Sequence, residues 1–230
     1  MKQFIYGKNS VLDAIKNNFP IKTLYLQNNI QDKNINFHNI KRLSYYEMNN
    51  LVKGNHQGYI AEINEFQYHD FGSILKDKPE NVLILDHIQD PQNFGAILRS
   101  ANVFNIKHII IPKNRACEVT PTVLKTSSGG FNNIKIIKMA SLFEAIKNLK
   151  EAGYWVYATA LNDQAKKLHE INFAKPTCLI MGNEETGVSN TLIKHADEVI
   201  YIEQFGEVQS LNVSCASAIA MYELTKSKKE

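Results

Sequence analysis

Cysteine is scarce in this 230-residue chain: Cys117, Cys178 and Cys215 stand far apart with no C-x-x-C spacing. That removes zinc-ribbon and dithiol redox chemistry and leaves three small residues suited to burial. Charge of one sign is also missing. With 26 Lys+Arg against 23 Asp+Glu the net charge is +3, so no global field marks the chain for nucleic acid, and an RNA ligand needs a local patch. No apolar run reaches the length of a membrane-spanning helix, and the opening Met1-Lys2-Gln3-Phe4 begins no leader segment. These absences predict a cytoplasmic protein with neither membrane nor metal as partner. Internal repeats, low-complexity tracts, the G-x-G-x-x-G fingerprint and the G-K-[ST] of a P-loop are all lacking, which counts against nucleotide-dependent oxidoreductases and NTPases.

What is present suits a packed fold, because 44% of the residues are hydrophobic. Residues 5–18 place Ile5, Val11, Leu12 and Ile15 at helical intervals with Asn9 or Ser10 as N-cap, and residues 21–26 and 59–63 read as strands. The polar stretch 67–79, with Gly72 and Pro79, reads as a linker between a small front domain (1–66) and a larger unit (80–230). In the larger unit, strand candidates at 82–85, 108–111, 134–137, 155–159, 177–181 and 199–202 alternate with helical stretches. This predicts an α/β fold on a largely parallel sheet, with ligands beyond the carboxyl ends of its strands. Lys226-Ser227-Lys228-Lys229-Glu230 reads as a solvated tail.

Three segments concentrate polar residues and glycine just past predicted strands. In Asp86–Ala101, Phe94, Ile97, Leu98 and Ala101 form a core stripe that leaves Arg99 pointing away, with Asn93 near the helix start. In Leu179–Ser189, Gly182 follows a buried strand and Glu184 and Glu185 need partners if enclosed. In Ile202–Ser214, Ser210 and Asn212 stand at a loop-to-helix junction. Beyond it Leu211, Cys215, Ala218, Ile219 and Tyr222 form an apolar stripe, and Ala216, Ser217 and Ala220 keep other faces slim for packing against another element or subunit. Each segment taken alone also reads as a cap, a turn or a surface arginine.

Taken together and in this order, the three segments resemble the signature motifs of the SPOUT-class (SpoU family) RNA ribose methyltransferases. Tyr6-Gly7-Lys8-Asn9-Ser10-Val11 and His56-Gln57-Gly58 resemble that family's small α/β substrate-binding domain. The overall build is similar to the guanosine 2′-O-methyltransferases of large-subunit (23S) ribosomal RNA. The resemblance implies the SPOUT fold with a C-terminal trefoil knot, a homodimer, S-adenosylmethionine as cofactor and RNA as substrate, ribosomal RNA foremost and transfer RNA as the alternative. It implies roles in catalysis and substrate positioning for Asn93, Arg99, Glu184, Ser210 and Asn212, and cofactor contacts at Gly182, Ile202 and Leu211.

The chain departs from the family at Glu203-Gln204, where a Pro-Met pair is usual. Losing proline loosens the loop's preset φ and bears on cofactor affinity; a carboxylate beside a cationic sulphonium compensates electrostatically. A non-catalytic RNA-binding assembly factor of the same fold is therefore the competing reading. Lys8, Lys22, Lys41, Arg42, Lys53 and His56, beside Tyr45 and Tyr46, are candidate RNA contacts of the front domain; a solvated surface is the alternative for the lysines.

Overall fold

The computed structural model describes residues 3–31, 35–207 and 210–226, and the structural statements below concern those residues. Two sheets organise them. The first has four strands in the order β1 (Gln3–Tyr6), β4 (Tyr59–Ile63), β2 (Ile21–Gln27) and β3 (Ile40–Leu43), with β4 buried at every position between its two antiparallel partners. Helices α1 (Lys8–Lys16) and α2 (Tyr45–Leu51) accompany it. A capping box starts α2: the Ser44 hydroxyl accepts from the Glu47 amide at 3.3 Å and the Glu47 carboxylate accepts from the Ser44 amide at 2.8 Å.

The expected helix over 5–18 is corrected. Ile5 lies in β1 opposite Ala61, and the helix begins at Lys8 after Gly7, whose φ of 94° turns the chain; neither Asn9 nor Ser10 caps it. A short apolar window fits both the strand and the helix period, and pairing with β4 decides between them.

The second sheet has seven parallel strands in the order β7 (Lys135–Met139), β6 (His108–Pro112), β5 (Asn81–Asp86), β10 (Thr177–Gly182), β8 (Trp155–Thr159), β11 (Glu198–Tyr201) and β9 (Lys166–Lys167). All six anticipated strands are present. Because side chains alternate across a strand, Leu83 and Leu85 join one core and Val82 and Ile84 the other. The first core packs beneath α4 (Pro91–Val103), α5 (Pro121–Ser127) and α8 (Val213–Lys226) through Ile97, Leu98, Leu124 and Met221. The second lies under α3 (Gly72–Asp77), α6 (Leu142–Glu151) and α7 (Asn190–His195) through Ile74, Ile146 and Leu192.

The stretch 67–79 is more than a bare connector. Ile74 on α3 is fully buried, the His69 amide donates to the Ile136 carbonyl at 2.9 Å, and His108 Nε2 meets Asp77 Oδ2 at 2.8 Å. Burial holds the His108 imidazole below its usual pKa.

On α8 the apolar stripe turns outward. Val213, Ser217, Ala220, Met221 and Leu224 face the core, while Leu211, Cys215, Ile219 and Tyr222 are exposed. Cys178 is buried as expected, Cys117 is half-buried and Cys215 is not buried. Among the described residues no helix is long and apolar enough to cross a membrane. The expected tail beyond Lys226 lies outside the described residues.

Candidate active site

Strands β5, β6 and β7 run outward in one direction from the centre of the large sheet, and β10, β8 and β11 in the other. Ligands in such sheets settle at the carboxyl ends near that reversal. Here the carboxyl ends of β8, β10 and β11 open into a cavity of about 270 Å³. Leu161, Leu168, Met181 and Val213 give it apolar walls, and the small side chains of Ala216 and Ala220 on α8 leave it room. Gly182, Ile202 and Leu211 all line it, as do Glu184 and Ser210 at its polar side.

A line of hydrogen bonds joins this cavity to α4. Asn93 Nδ2 donates to Glu184 Oε1, and Asn93 Oδ1 accepts from Asn212 Nδ2 at 3.0 Å. Asn212 in turn accepts from the Ser214 amide at 2.9 Å and hydroxyl at 2.6 Å, so it caps α8 while it reaches α4. The cap of α4 is Asp90, which accepts from the amides of Gln92 at 3.0 Å and Asn93 at 3.3 Å. The Asn93 side chain is thus free for Glu184 and Asn212, residues 91 and 119 positions away.

Two residues outside the predicted set hold the loops in place. Asp86, buried at the end of β5, accepts from the Ser189 amide at 2.7 Å and meets His87 Nδ1 at 2.6 Å, tying the loop after β10 to the neighbouring strand. Asn183 accepts from the amides of Glu185 at 2.9 Å and Thr186 at 2.8 Å, closing the turn that presents Glu184. Both belong to the polar segments picked out by sequence, yet an orienting role depends on a loop's return path, which local pattern does not encode.

Gly182, which lines the cavity, also makes room for the chain itself. A Cβ there would lie 2.0 Å from the Gly187 carbonyl carbon and 2.1 Å from the Val188 nitrogen, so the missing side chain admits the chain's own returning loop. Glu203 points elsewhere. Its carboxylate pairs with Lys167 Nζ at 2.8 Å and His169 Nδ1 at 3.0 Å and is absent from the cavity wall, where Gln204 stands instead. The expectation of a compensating charge beside the cofactor is therefore corrected: Glu203 clasps the loop from outside.

Arg99 is not brought into this network. It is exposed on α4, six positions from Asn93 and so on another face of the helix, and has no ion pair among the described residues. Its backbone is closely covered by Gly130, whose Cβ would meet the Arg99 Cα at 2.5 Å. In the front domain His56 is corrected as a phosphate contact: it is buried, and its Nδ1 accepts from the Gly58 amide at 2.9 Å. Lys22 lies 3.6 Å from the Glu62 carboxylate, and Arg42 donates to the Ile30 carbonyl at 2.6 Å. Lys8, Lys41, Lys53, Tyr45 and Tyr46 are exposed.

A doubly covered parallel sheet with its cavity formed by the loops after β8, β10 and β11 is the fold of the SpoU methyltransferases. The SpoU methyltransferase AviRb of Streptomyces viridochromogenes, solved in complex with AdoMet, superposes with a TM-score of 0.76 at 20% identity over 98% of this chain and 89% of that one. An AdoMet-bound rRNA methyltransferase of Sinorhizobium meliloti gives 0.75 at 24% identity over 98% and 87%. The chain belongs to the SpoU rRNA Methylase family, whose model matches residues 80–222, and a model for RNA 2′-O ribose methyltransferase substrate binding matches residues 4–69. A Staphylococcus haemolyticus protein named for the TrmH family of tRNA/rRNA methyltransferases is 33% identical over 97% of this chain and 95% of its own length. A Synechocystis tRNA/rRNA methyltransferase is 29% identical over 97% of this chain, which spans 62% of that relative's length.

Proposed function

We propose that this chain transfers the methyl group of S-adenosylmethionine to a ribose 2′-hydroxyl of RNA, with a guanosine of 23S ribosomal RNA as target. The observation that carries the reading is the Glu184–Asn93–Asn212 line, which leads from the cavity rim to the start of α4. The cavity fits the cofactor by its chemistry: apolar walls and strand-end backbone suit a purine nucleoside, and the Glu184 carboxylate suits a neighbouring positive sulphur. Gly182, Ile202 and Leu211 would hold the cofactor, which supplies an activated methyl group when bound.

The protein's own task is alignment and proton removal. Asn93, Glu184 and Asn212 fix the position of the incoming ribose, because each amide or carboxylate already held by another cannot swing away, and Ser210 adds a hydroxyl at the cavity's polar side. Arg99 orients the hydroxyl through the adjacent phosphate. A guanidinium offers hydrogen-bond donors and no acceptor, so the proton leaves toward the phosphate.

A cytoplasmic homodimer is part of this reading. Val103 on α4 and Ile219 and Tyr222 on α8 are 72%, 39% and 50% exposed, an apolar face suited to a second copy, and Arg99 projects from one of the same two helices. The reading also assigns residues 1–66 to RNA selection and 80–230 to chemistry, joined through 67–79, with the C-terminal segment threading the knot.

The test is calorimetric titration with S-adenosylmethionine, then transfer of labelled methyl to unmodified ribosomal and transfer RNA. Saturable binding and alkali-resistant label at one ribosomal guanosine are expected. Label confined to transfer RNA would move the substrate, and a folded protein without cofactor binding would leave an RNA-binding assembly factor.

A further inference from the structure

A cleft of about 650 Å³ lies where the four-stranded sheet meets α4 and α5. Tyr6 and Ser10 form one wall; Gln92, Thr122, Lys125 and Thr126 form the other. Its lining combines aromatic rings, hydroxyls, an amide and one lysine, with no carboxylate. That inventory complements a nucleotide: a ring for the base, hydroxyls for the ribose, and a cation for the phosphate with no negative charge to repel it.

The walls are braced. Gly54 sits so close to Tyr6 that a Cβ there would meet the ring at 2.7 Å, yet Tyr6 remains 41% exposed. Lys125, in the last turn of α5, is exposed and has no ion pair among the described residues. The two walls are fastened to each other away from the cleft. Asn132 Nδ2 donates to the Asn17 carbonyl at 2.7 Å, and the rings of Phe19 and Phe131 meet edge to face at 4.9 Å. A preformed cleft loses less free energy on binding than one that must be assembled.

The position gives the cleft its meaning. The Gln92 side chain accepts from the Thr126 hydroxyl at 2.8 Å in the cleft wall, and the next residue, Asn93, bonds to Glu184 and Asn212. The cleft thus ends one residue from the proposed reaction centre.

We propose that this cleft seats the single-stranded RNA adjoining the target ribose, with one base stacked on Tyr6 and its phosphate at Lys125. The inference rests on the RNA methyltransferase reading and adds to it the path of the strand.

The test measures binding of a short fluorescein-labelled oligouridylate to the full chain by anisotropy across a salt series, with cofactor affinity followed by calorimetry on the same samples. Tyr6→Ala should weaken RNA binding about tenfold, and Tyr6→Phe, which keeps the ring, should restore it. Lys125→Glu should lower the slope of log affinity against log salt by about 0.7 or more, a change that a general loss of packing does not produce. Cofactor affinity should stay at the wild-type level in all three. Wild-type affinity and salt slope in both Tyr6→Ala and Lys125→Glu would overturn the proposal. Should Tyr6→Ala unfold, the salt slope of the exposed Lys125 variant decides alone. A wild-type protein that binds the oligonucleotide through these residues but transfers no methyl group would sink the catalytic reading and leave the cleft standing.

Discussion

Asn93 uses both ends of its amide on other side chains, donating to Glu184 and accepting from Asn212. Asn93→Asp replaces the donor facing Glu184 with a second carboxylate oxygen, so methyl transfer should fall by about a hundredfold or more while cofactor affinity changes little. Single-turnover transfer beside calorimetry separates the two; parallel losses would show that Asn93 shapes the cavity instead. Arg99→Ala should lower kcat by a similar factor with S-adenosylmethionine affinity kept, because the side chain does not line the cofactor cavity. Glu203→Ala removes contacts to Lys167 and His169 that solvent screens, so cofactor affinity should weaken only about threefold. A loss of several hundredfold would mean that the carboxylate acts on the cofactor directly. Asn93, Glu184 and Asn212 were legible because polar residues after buried strands have no packing use. The direction of Glu203 was not, since it depends on Lys167 and His169 more than thirty positions away.

The loop that follows β10 returns across its own strand end, and this closure rests on one missing methyl group. Gly182→Ala would force an atom to within 2.0 Å of the Gly187 backbone, which cannot yield as a flexible side chain does. The loop should be displaced, the thermal midpoint should drop by several degrees, and cofactor binding should become undetectable by calorimetry. Retained affinity would show that the loop tolerates displacement. At this scale six of the seven parallel strands of the larger sheet were legible because each is a short, largely apolar run with helical stretches between. Strand β1 was missed because its four residues carry too little pattern to separate a strand from the first turn of a helix. The stripe on α8 was recognised, but which way it faces depends on α4 and β10, and sequence periodicity reports a face without naming its neighbour.

For the molecule as a whole, the outward apolar face of α4 and α8 is the feature that a single chain leaves unexplained. Val103→Glu with Ile219→Glu should convert the proposed dimer into monomers in sedimentation velocity, with the circular dichroism spectrum retained, since both side chains are exposed in the isolated chain. Methyl transfer should fall with dimerisation if Arg99 acts across the interface. A double variant that stays dimeric would place the interface elsewhere.

The cavity proposed for the cofactor draws its walls from Leu168 and from residues within 159–161, 181–187, 200–204 and 210–220, with nothing from the first 158 residues among its lining. During synthesis, then, the four-stranded sheet and strands β5, β6 and β7 emerge before any wall of this cavity exists, and the cavity closes only once α8 has left the ribosome. A chain interrupted before α8 would carry the cleft proposed for RNA without the cavity proposed for the cofactor.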